Sequence, residues 1–188
     1  MFSRALLRKR KDFFMTKNKS SKKKSQLTIL VSVALLVAIN VILTRFLSIN
    51  TTFLRIGFGF LPVAIAGIAF GPVWGLLCGA VGDVLGMMIF PSGEFFPGFT
   101  LTAILTGLVF GLFLGKKYTL ARNIISCCIV CLLLNLCLDT LWLSIMYGEA
   151  FVVLLPARII KSVINIPIYV ALIHIVWKNA LSKLDIFR

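Results

Sequence analysis

Acidic residues and histidine are scarce in this sequence: six aspartates and glutamates and one histidine stand beside twenty lysines and arginines among 188 residues. There is no Walker A loop, no GxSxG motif and no group of histidine and carboxylates at metal-ligand spacing. The chain therefore lacks the usual sequence signatures of ATPases, α/β-hydrolases and zinc enzymes. His174 is alone near the end of an apolar run, and we interpret it as structural. The sequence therefore predicts no enzyme, no cofactor and no metal site.

The five cysteines also lack the context of a metal site, because no histidine lies near them at ligand spacing. All five fall in apolar runs, which is typical of small buried hydrophobic residues and not of zinc ligands or disulfides. They are Cys78, Cys127, Cys128, Cys131 and Cys137.

Apolar residues make up 60% of the chain, and its mean hydropathy is +1.03. No soluble domain of this size needs so much apolar surface, so the sequence predicts an all-α, polytopic membrane protein. The first apolar run is too long for a signal-peptide core, and no cleavage site of small residues follows it. We therefore expect that run to remain as a membrane span.

Six transmembrane helices are predicted from the apolar runs and the breaks between them. The pair Gly71-Pro72 separates the second from the third, because proline is tolerated at the first position of a helix. The second helix is short and rich in glycine. The six spans run about Leu27–Phe46, Ile56–Phe70, Val73–Phe90, Phe99–Leu114, Asn123–Tyr147 and Leu155–Lys178.

Positive charge divides the chain into regions. Half of the lysines and arginines lie in Met1–Lys24. We predict a basic, disordered cytoplasmic tail at residues 1–26, a six-helix membrane domain at 27–178 and a short cytoplasmic end at 179–188. Residues 1–14 can be read as an upstream extension, since Met15 begins a more ordinary start. The tail resembles a nucleic-acid arm in composition, but contact with the lipid bilayer is the simpler interpretation, and no nucleic-acid partner is predicted.

An even number of spans places both termini on the same side of the membrane. With the termini in the cytoplasm, sixteen lysines and arginines lie inside and four lie outside. This asymmetry follows the positive-inside rule and supports the predicted topology.

The four outer cations are Arg45, Arg55, Arg158 and Lys161. A charged side chain at membrane depth costs roughly 2.5–3.5 kcal/mol on insertion scales and persists where it has a partner. Too few acidic residues lie nearby to pair all four, which favours an anionic ligand. Arg158 and Lys161 share a helix face that Asn165 continues. The alternative is that these side chains extend to lipid phosphates.

Further candidate ligand contacts are polar residues within the spans and aromatic residues near the outer loop. Asp83 lies in the third span, and Asn135 and Asp139 are four residues apart in the fifth. A buried carboxylate accepts paired N–H donors from a heterocycle, although hydrogen bonds or salt bridges between helices are the alternative. Flat ligands stack on aromatic rings, although an interfacial aromatic belt needs no ligand. The aromatic candidates are Phe95, Phe96 and Trp142.

Ala34 and Ala38 form a small-xxx-small pair in the first span. Such pairs let helices approach closely, so this one serves either packing within the chain or docking of another membrane subunit.

Long stretches between Leu27 and Lys178, taken in order, resemble the substrate-binding S components of energy-coupling factor (ECF) transporters, most closely the folate-specific kind. The stretches that carry the resemblance are TRFLSI (Thr44–Ile49), LRIGFGFLPVAIAGIAFGPVWG (Leu54–Gly75), GDVLG (Gly82–Gly86), FPSGEFFPGFTLTA (Phe90–Ala103), LDTLWLSIMYG (Leu138–Gly148) and PARIIKSVINIP (Pro156–Pro167).

The resemblance implies a six-helix vitamin-binding subunit of the bacterial cell membrane. Such a subunit captures its substrate outside and works with a transmembrane coupling subunit and two cytoplasmic ATPases. Ala34 and Ala38 match the pair that docks the coupling subunit in that family. Folate has an anionic glutamate tail for the cations, a donor edge for the polar residues and flat rings for the aromatic ones. Asp139 departs from the uncharged amide that the family leads us to expect.

Three alternatives to folate capture remain open at this stage. One is an S component for another anionic vitamin, such as pantothenate, which would leave the aromatic residues without a ring to stack on. The second is a membrane enzyme acting on a phosphate-bearing lipid, with the cations as an anion clamp. The third is a structural membrane protein whose cations only reach the headgroups.

Overall fold

The computed structural model describes residues 26–46, 49–50, 55–91, 96–116, 118–148 and 151–179. The predicted basic tail up to residue 25, the predicted end from residue 180 onward and Phe95 therefore lie outside the described residues. Within the described residues the chain divides into two units, one ending at Ala34 and one beginning at Leu35, and the second unit holds every described helix after the first one.

Helices dominate the described residues, as predicted. Five helical stretches are long and apolar enough to cross a membrane, and α2 is a shorter apolar helix of 11 residues. The helices are α1 (Gln26–Arg45), α2 (Phe60–Phe70), α3 (Pro72–Ile89), α4 (Pro97–Leu114), α5 (Leu120–Cys128), α6 (Asp139–Tyr147) and α7 (Phe151–Asn179), with a π-helical segment, Ile129–Leu138, joining α5 to α6.

The connection from α1 to α2 contains a short antiparallel ladder. Strand β1 (Ile49–Asn50) pairs with β2 (Arg55–Ile56), with Ile49 opposite Ile56. The predicted helix start at Ile56 is therefore wrong, since α2 begins at Phe60. Gly57 and Gly59 lie between the strand and the helix, and glycine is a poor helix former.

The predicted break between the second and third helices is confirmed. Gly71 has a φ of 97°, a conformation that side chains rarely adopt, and its N–H donates to the carbonyl of Gly67. Pro72 then opens α3 at its first turn, where its missing N–H removes no helical hydrogen bond. One residue thus reverses the chain between α2 and α3.

Glycines allow α3 and α4 to pack with their backbones in contact. A Cβ atom on Gly75 would lie 2.6 Å from the carbonyl oxygen of Gly107, closer than side-chain atoms are found. A Cβ on Gly67 of α2 would similarly lie 2.8 Å from the backbone nitrogen of Gly111. Such glycine contacts are a common means of helix association in membranes, where apolar side chains gain little from leaving lipid.

The core lies where α2, α4, α5, the π-helical segment and α7 meet. Cys78, Cys127 and Cys131 are buried and free, in agreement with their prediction as small hydrophobic residues. Cys137 is exposed, so the prediction of burial is wrong there. The prediction of its burial rests on an apolar run alone, and in a membrane span such a run also has residues that face away from the other helices.

Two features of the later helices differ from the predicted regular spans. In the π-helical segment each backbone hydrogen bond spans five residues and not the four of an α-helix. The N–H of Asp139, for example, donates to the carbonyl of Leu134. Helix α7 begins at Phe151 and not near Leu155, and it continues through Pro156. Arg158 and Lys161 consequently lie about two and three turns from its start. Membrane helices tolerate internal prolines because neighbouring groups satisfy the freed carbonyls.

Candidate ligand-binding site

A cavity of about 420 Å³ lies among the helices of the second unit. Its lining comes from α1, α2, α3, α4, the π-helical segment, α6 and α7. Seven of the residues predicted from the sequence line it: Arg45, Asp83, Phe96, Asn135, Asp139, Lys161 and Asn165.

Positions along α1, α4 and α7 define the rim and the floor of the cavity, and the short α2 begins at the floor with Phe60. Arg45 is the last residue of α1, and Phe96 immediately precedes α4, so these two mark the rim of the cavity. Asn165 lies about four turns into α7, and Tyr169 lies one turn further. These two mark the floor, where the ring of Tyr169 stacks on Phe60 with centroids 3.5 Å apart.

On the α3 side of the cavity, the carboxylate of Asp83 is held in place by a hydrogen bond. Thr100 of α4 donates a hydrogen bond of 2.7 Å to Oδ2 of Asp83. Asp83 thus both lines the cavity and ties α3 to α4, which combines the ligand and the helix-linking interpretations of this residue.

Trp142 contacts the wall from behind and is not among the cavity-lining residues that the structure describes. Its Nε1 donates to Oγ1 of Thr102 at 3.3 Å, and its ring lies against Gly98 at the start of α4. The ring of Phe96 lies 5.7 Å from that of Trp142 and 6.2 Å from that of Phe99. The indole therefore supports a set of rings at the rim.

Two buried oxygen atoms on the opposite wall have no hydrogen-bond donor among the described residues. They are Oδ1 of Asp139 and Oδ1 of Asn165. Asn165 is 4% exposed. Buried acceptors are nearly always satisfied in proteins, and leaving one without a donor costs about 1–3 kcal/mol. Both residues line the cavity, so a ligand with N–H groups can supply the donors.

Of the three predicted cations whose side chains the structure describes, two line the cavity. Arg45 and Lys161 line the cavity. Arg158 is half-buried and donates from a guanidinium nitrogen to the backbone oxygen of Asn135 at 3.3 Å. The positive charges of Arg158 and Lys161 also act on Asp139. The side chain of Arg55 lies outside the described part of the chain.

Several cavity residues were missed by reasoning from charge and aromaticity. They are uncharged polar residues and the two rings of the floor: Asn40, Thr44, Thr102, Thr106, Tyr169 and Phe60. One signal was available in the sequence, because Asn40 and Thr44, like Thr102 and Thr106, are four residues apart and share a helix face. Each of these threonines donates to the carbonyl four residues earlier, with Oγ–O distances from 2.7 to 3.2 Å.

The predicted docking residues lie on α1. Ala34 and Ala38 are both exposed. Neither is among the cavity-lining residues in the described part of the chain.

Comparison with known sequences identifies close relatives. A family model for the substrate-specific component of ECF transporters matches residues 28–177. The folate transporter FolT of Clostridium novyi (strain NT) is 42% identical over 164 residues, which cover 87% of this chain and 95% of the relative. The folate transporter FolT of Leuconostoc mesenteroides subsp. mesenteroides is 33% identical over 156 residues, which cover 79% and 84% of the two chains.

Solved structures show the same fold. The crystal structure of FolT bound with folic acid matches with a TM-score of 0.75 at 41% identity, covering 82% of this chain and 95% of that one. The S component of a bacterial ECF transporter matches with a TM-score of 0.59 at 24% identity, covering 85% and 99%. This second likeness concerns the fold alone.

Proposed function

This chain belongs to the family of substrate-specific components of ECF transporters, and from that premise we propose that it is a folate-binding subunit. It is a multi-pass bacterial membrane protein, and its family serves transport and not catalysis. In our proposal the cavity captures folate outside the cell, and partner subunits drive its delivery to the inside.

The observation that carries the proposal is the pair of buried acceptors without a donor, Oδ1 of Asp139 and Oδ1 of Asn165. The pterin ring of folate is flat and carries N–H groups along one edge. Placed near these two oxygens, it would supply the hydrogen bonds that the described side chains do not. The cavity volume of about 420 Å³ lies within the usual range for small-molecule sites.

The distribution of charge along the cavity supports one orientation of folate. The acceptor oxygen of Asn165 lies at the floor, whereas the guanidinium of Arg45 lies at the rim. The pterin would therefore enter first, and its glutamate carboxylates would remain at the rim. Arginine binds carboxylates through paired N–H donors, and the rings near Phe96 can stack on the central aromatic part of the ligand.

Titration of the purified protein in detergent tests this function. We expect one folate per chain, with pteroate, which lacks the glutamate, bound more weakly and pantothenate not bound. Pantothenate has no ring to match the aromatic residues of the rim and no pterin edge to satisfy the acceptors. Tighter binding of pantothenate than of folate, or no binding of folate, would refute the proposal.

We further propose six spans, with α2 as the short one, and both termini in the cytoplasm. The length of α2 is less than a bilayer needs, so neighbouring helices must shelter its ends. A membrane-impermeant maleimide should label Pro91→Cys in intact cells and Lys116→Cys only after the cells are opened, in a variant without the native cysteines. The reverse labelling would contradict this topology.

The remaining proposal concerns partners: a transmembrane coupling subunit and two cytoplasmic ATPases, with Ala34 and Ala38 at the docking face. Both alanines are exposed on α1, which supports this role. In cells that contain the natural partners, Ala38→Phe should abolish folate uptake while the purified variant binds folate as before. Ile39→Phe is the matched control on the neighbouring face of α1. Equal uptake by Ala38→Phe and Ile39→Phe would contradict docking at Ala38.

A further inference from the structure

The last two turns of α1 lie against two glycines of α3. A Cβ atom on Gly82 would come within 2.6 Å of Nδ2 of Asn40. A Cβ atom on Gly86, one turn later, would lie 3.2 Å from both Nε and Nη2 of Arg45. The glycines are buried, and the space that a side chain of α3 would need at these positions is taken by polar side chains of α1.

The contact at Gly86 differs in kind from the close contacts of Gly75 and Gly79 on the same helix. At Gly75 the nearest atoms belong to the backbones of two other helices, which cannot move aside without disturbing the packing. At Gly86 the nearest atoms are the far end of a long side chain. An added methyl group there would displace the guanidinium by a few tenths of an ångström and leave the helices in place.

The location of this contact places it at the rim of the cavity. Gly86 is in the last turn of α3, and Arg45 is the last residue of α1. Next to them the rings of Phe46 and Phe90 meet edge to face with centroids 5.1 Å apart, which fixes the end of α1 against the end of α3. Arg45 lines the cavity, whereas Gly86 does not line it in the part of the chain that the structure describes.

We propose that Gly86 is a positioning residue for Arg45, which it holds at the rim in the orientation that receives the carboxylates of the ligand. The proposal rests on folate binding in the cavity with its glutamate at the rim. Paired hydrogen bonds between a guanidinium and a carboxylate depend on both groups being aligned. A methyl group at residue 86 changes that alignment without removing the charge.

The test is the affinity of Gly86→Ala for folate and for pteroate, measured by titration calorimetry on the purified protein. We expect the affinity for folate to fall about tenfold and that for pteroate to change less than about twofold, because pteroate has only its benzoate carboxylate, which lies nearer the pterin than the two glutamate carboxylates that Arg45 receives. Gly75→Ala is the matched control on the same helix. Its clash with backbone atoms should lower the yield of folded protein and change the ratio of the two affinities little.

A double-mutant cycle with Arg45→Ala separates this role from a general effect on the cavity. Arg45→Ala alone should weaken folate binding more than pteroate binding. In that background, Gly86→Ala should change folate affinity less than about twofold, since no guanidinium remains to be displaced. Equal losses for both ligands, additive effects in the cycle or an unchanged Gly86→Ala would each overturn the proposal.

Two further outcomes are decisive. If Gly86→Ala does not fold, Arg45→Ala should restore folding by removing the crowded side chain, and failure of that rescue would overturn the positioning role. If the unaltered chain binds neither folate nor pteroate, the proposed function is refuted. Normal binding of both ligands by the unaltered chain, with no selective loss in Gly86→Ala, would refute only the role of Gly86.

Discussion

Two regions within the described residues contain buried polar groups and treat them differently. One is the wall of the cavity, where Oδ1 of Asp139 and Oδ1 of Asn165 have no donor among the described residues. The other is a cluster formed by Tyr118, Asn123, His174 and Trp177, which we call the Tyr118 cluster. There the side chain of Asn123 is fully buried and fully bonded.

The Tyr118 cluster joins the connection after α4 to α5 and α7. The amide nitrogen of Asn123 donates to the hydroxyl of Tyr118 at 3.1 Å and to the carbonyl of Val170 at 3.0 Å. The hydroxyl of Tyr118 is also 3.0 Å from Nδ1 of His174. The ring of Tyr118 stacks on Trp177 with centroids 4.5 Å apart. This explains His174 as a structural residue, as its isolation in the sequence predicts.

Whether a buried polar group has its hydrogen-bond partners within the chain distinguishes structural groups from binding groups. In both, an asparagine is more than nine-tenths buried in a helix bundle. The side chain of Asn123 forms its hydrogen bonds within the protein and can contribute to stability. Oδ1 of Asn165 has no donor among the described residues and can contribute to ligand affinity. The same substitution in the two places should therefore give opposite patterns of effect.

The largest effect expected is the loss of stability in Asn123→Ala. It removes the links to α7 and to Tyr118 and leaves a cavity in place of the buried side chain, which should cost about 2–4 kcal/mol of unfolding free energy. Thermal unfolding in detergent measures this. Folate affinity of the folded fraction should stay within about twofold, and Asn179→Ala, at the exposed end of α7, is the control. A stable Asn123→Ala variant with weakened folate binding would mean that Asn123 serves binding and not stability.

Asn165→Ala should show the reverse. It removes the acceptor at the floor, so folate affinity should fall about tenfold, or about 1.4 kcal/mol, while the unfolding free energy changes by less than about 1 kcal/mol. Calorimetric titration and thermal unfolding measure the two quantities. The neighbouring Ile164→Ala, at an exposed position, should leave the affinity unchanged. If Asn165→Ala unfolds the protein as readily as Asn123→Ala does, then Asn165 is structural after all.

Tyr118→Phe tests how much one hydroxyl of the Tyr118 cluster contributes to stability. It keeps the ring on Trp177 but removes the hydroxyl between Asn123 and His174, and we expect a loss of about 1 kcal/mol in unfolding free energy. Burial raises the pKa of Tyr118 above its usual value of 10.0, although the hydrogen bond from Asn123 opposes this. The neutral phenol is therefore favoured in the folded state.

The pH dependence of the unfolding free energy tests the contribution of Tyr118 independently. Because the pKa of Tyr118 is higher in the folded state, its contribution is complete below pH 10.0 and is lost as the pH rises through the raised folded value. Stability of the unaltered chain should decline more steeply in that alkaline range than stability of Tyr118→Phe. Parallel curves for the two proteins would show that the hydroxyl contributes nothing there.

The smallest effect is expected from Asp139→Asn, which keeps an acceptor oxygen and removes the negative charge. If the ligand requires only an acceptor at this position, folate affinity should fall by no more than about threefold, or about 0.7 kcal/mol. Titration with folate measures the change, with Asn165→Ala as the reference. A loss of more than about tenfold would mean that the charge itself binds the ligand.

The general architecture was predictable from sequence because it depends on strong local signals. Apolar runs mark the long helices, and the pair Gly71-Pro72 marks the reversal between α2 and α3. Charged and amide residues in apolar spans, such as Asp83 and Asn165, could be recognised as candidate contacts, since such residues are costly in a membrane. The structure brings both into one cavity, and their roles in binding stay predictions.

The remaining features depend on contacts that a single sequence does not display. Asn40 and the threonines of α4 resemble ordinary helix residues until the packing of α1 and α4 turns them towards the cavity. The helical turns before Pro156 form despite a proline, because the surroundings decide whether such a helix continues. Arg158 is basic and lies in the correct helix, but its hydrogen bond to the backbone of Asn135 could not be read from its spacing to Lys161.

The π-helical segment Ile129–Leu138 affects how this chain is compared with its relatives. Each of its turns holds more residues than a turn of α-helix, so side chains beyond it, including Asp139, face a direction that residue counting does not give. In a relative with a regular α-helix there, the residue aligned with Asp139 would face a different direction, and another residue would face the cavity. Equivalence of ligand contacts across this stretch has to be established by superposing structures.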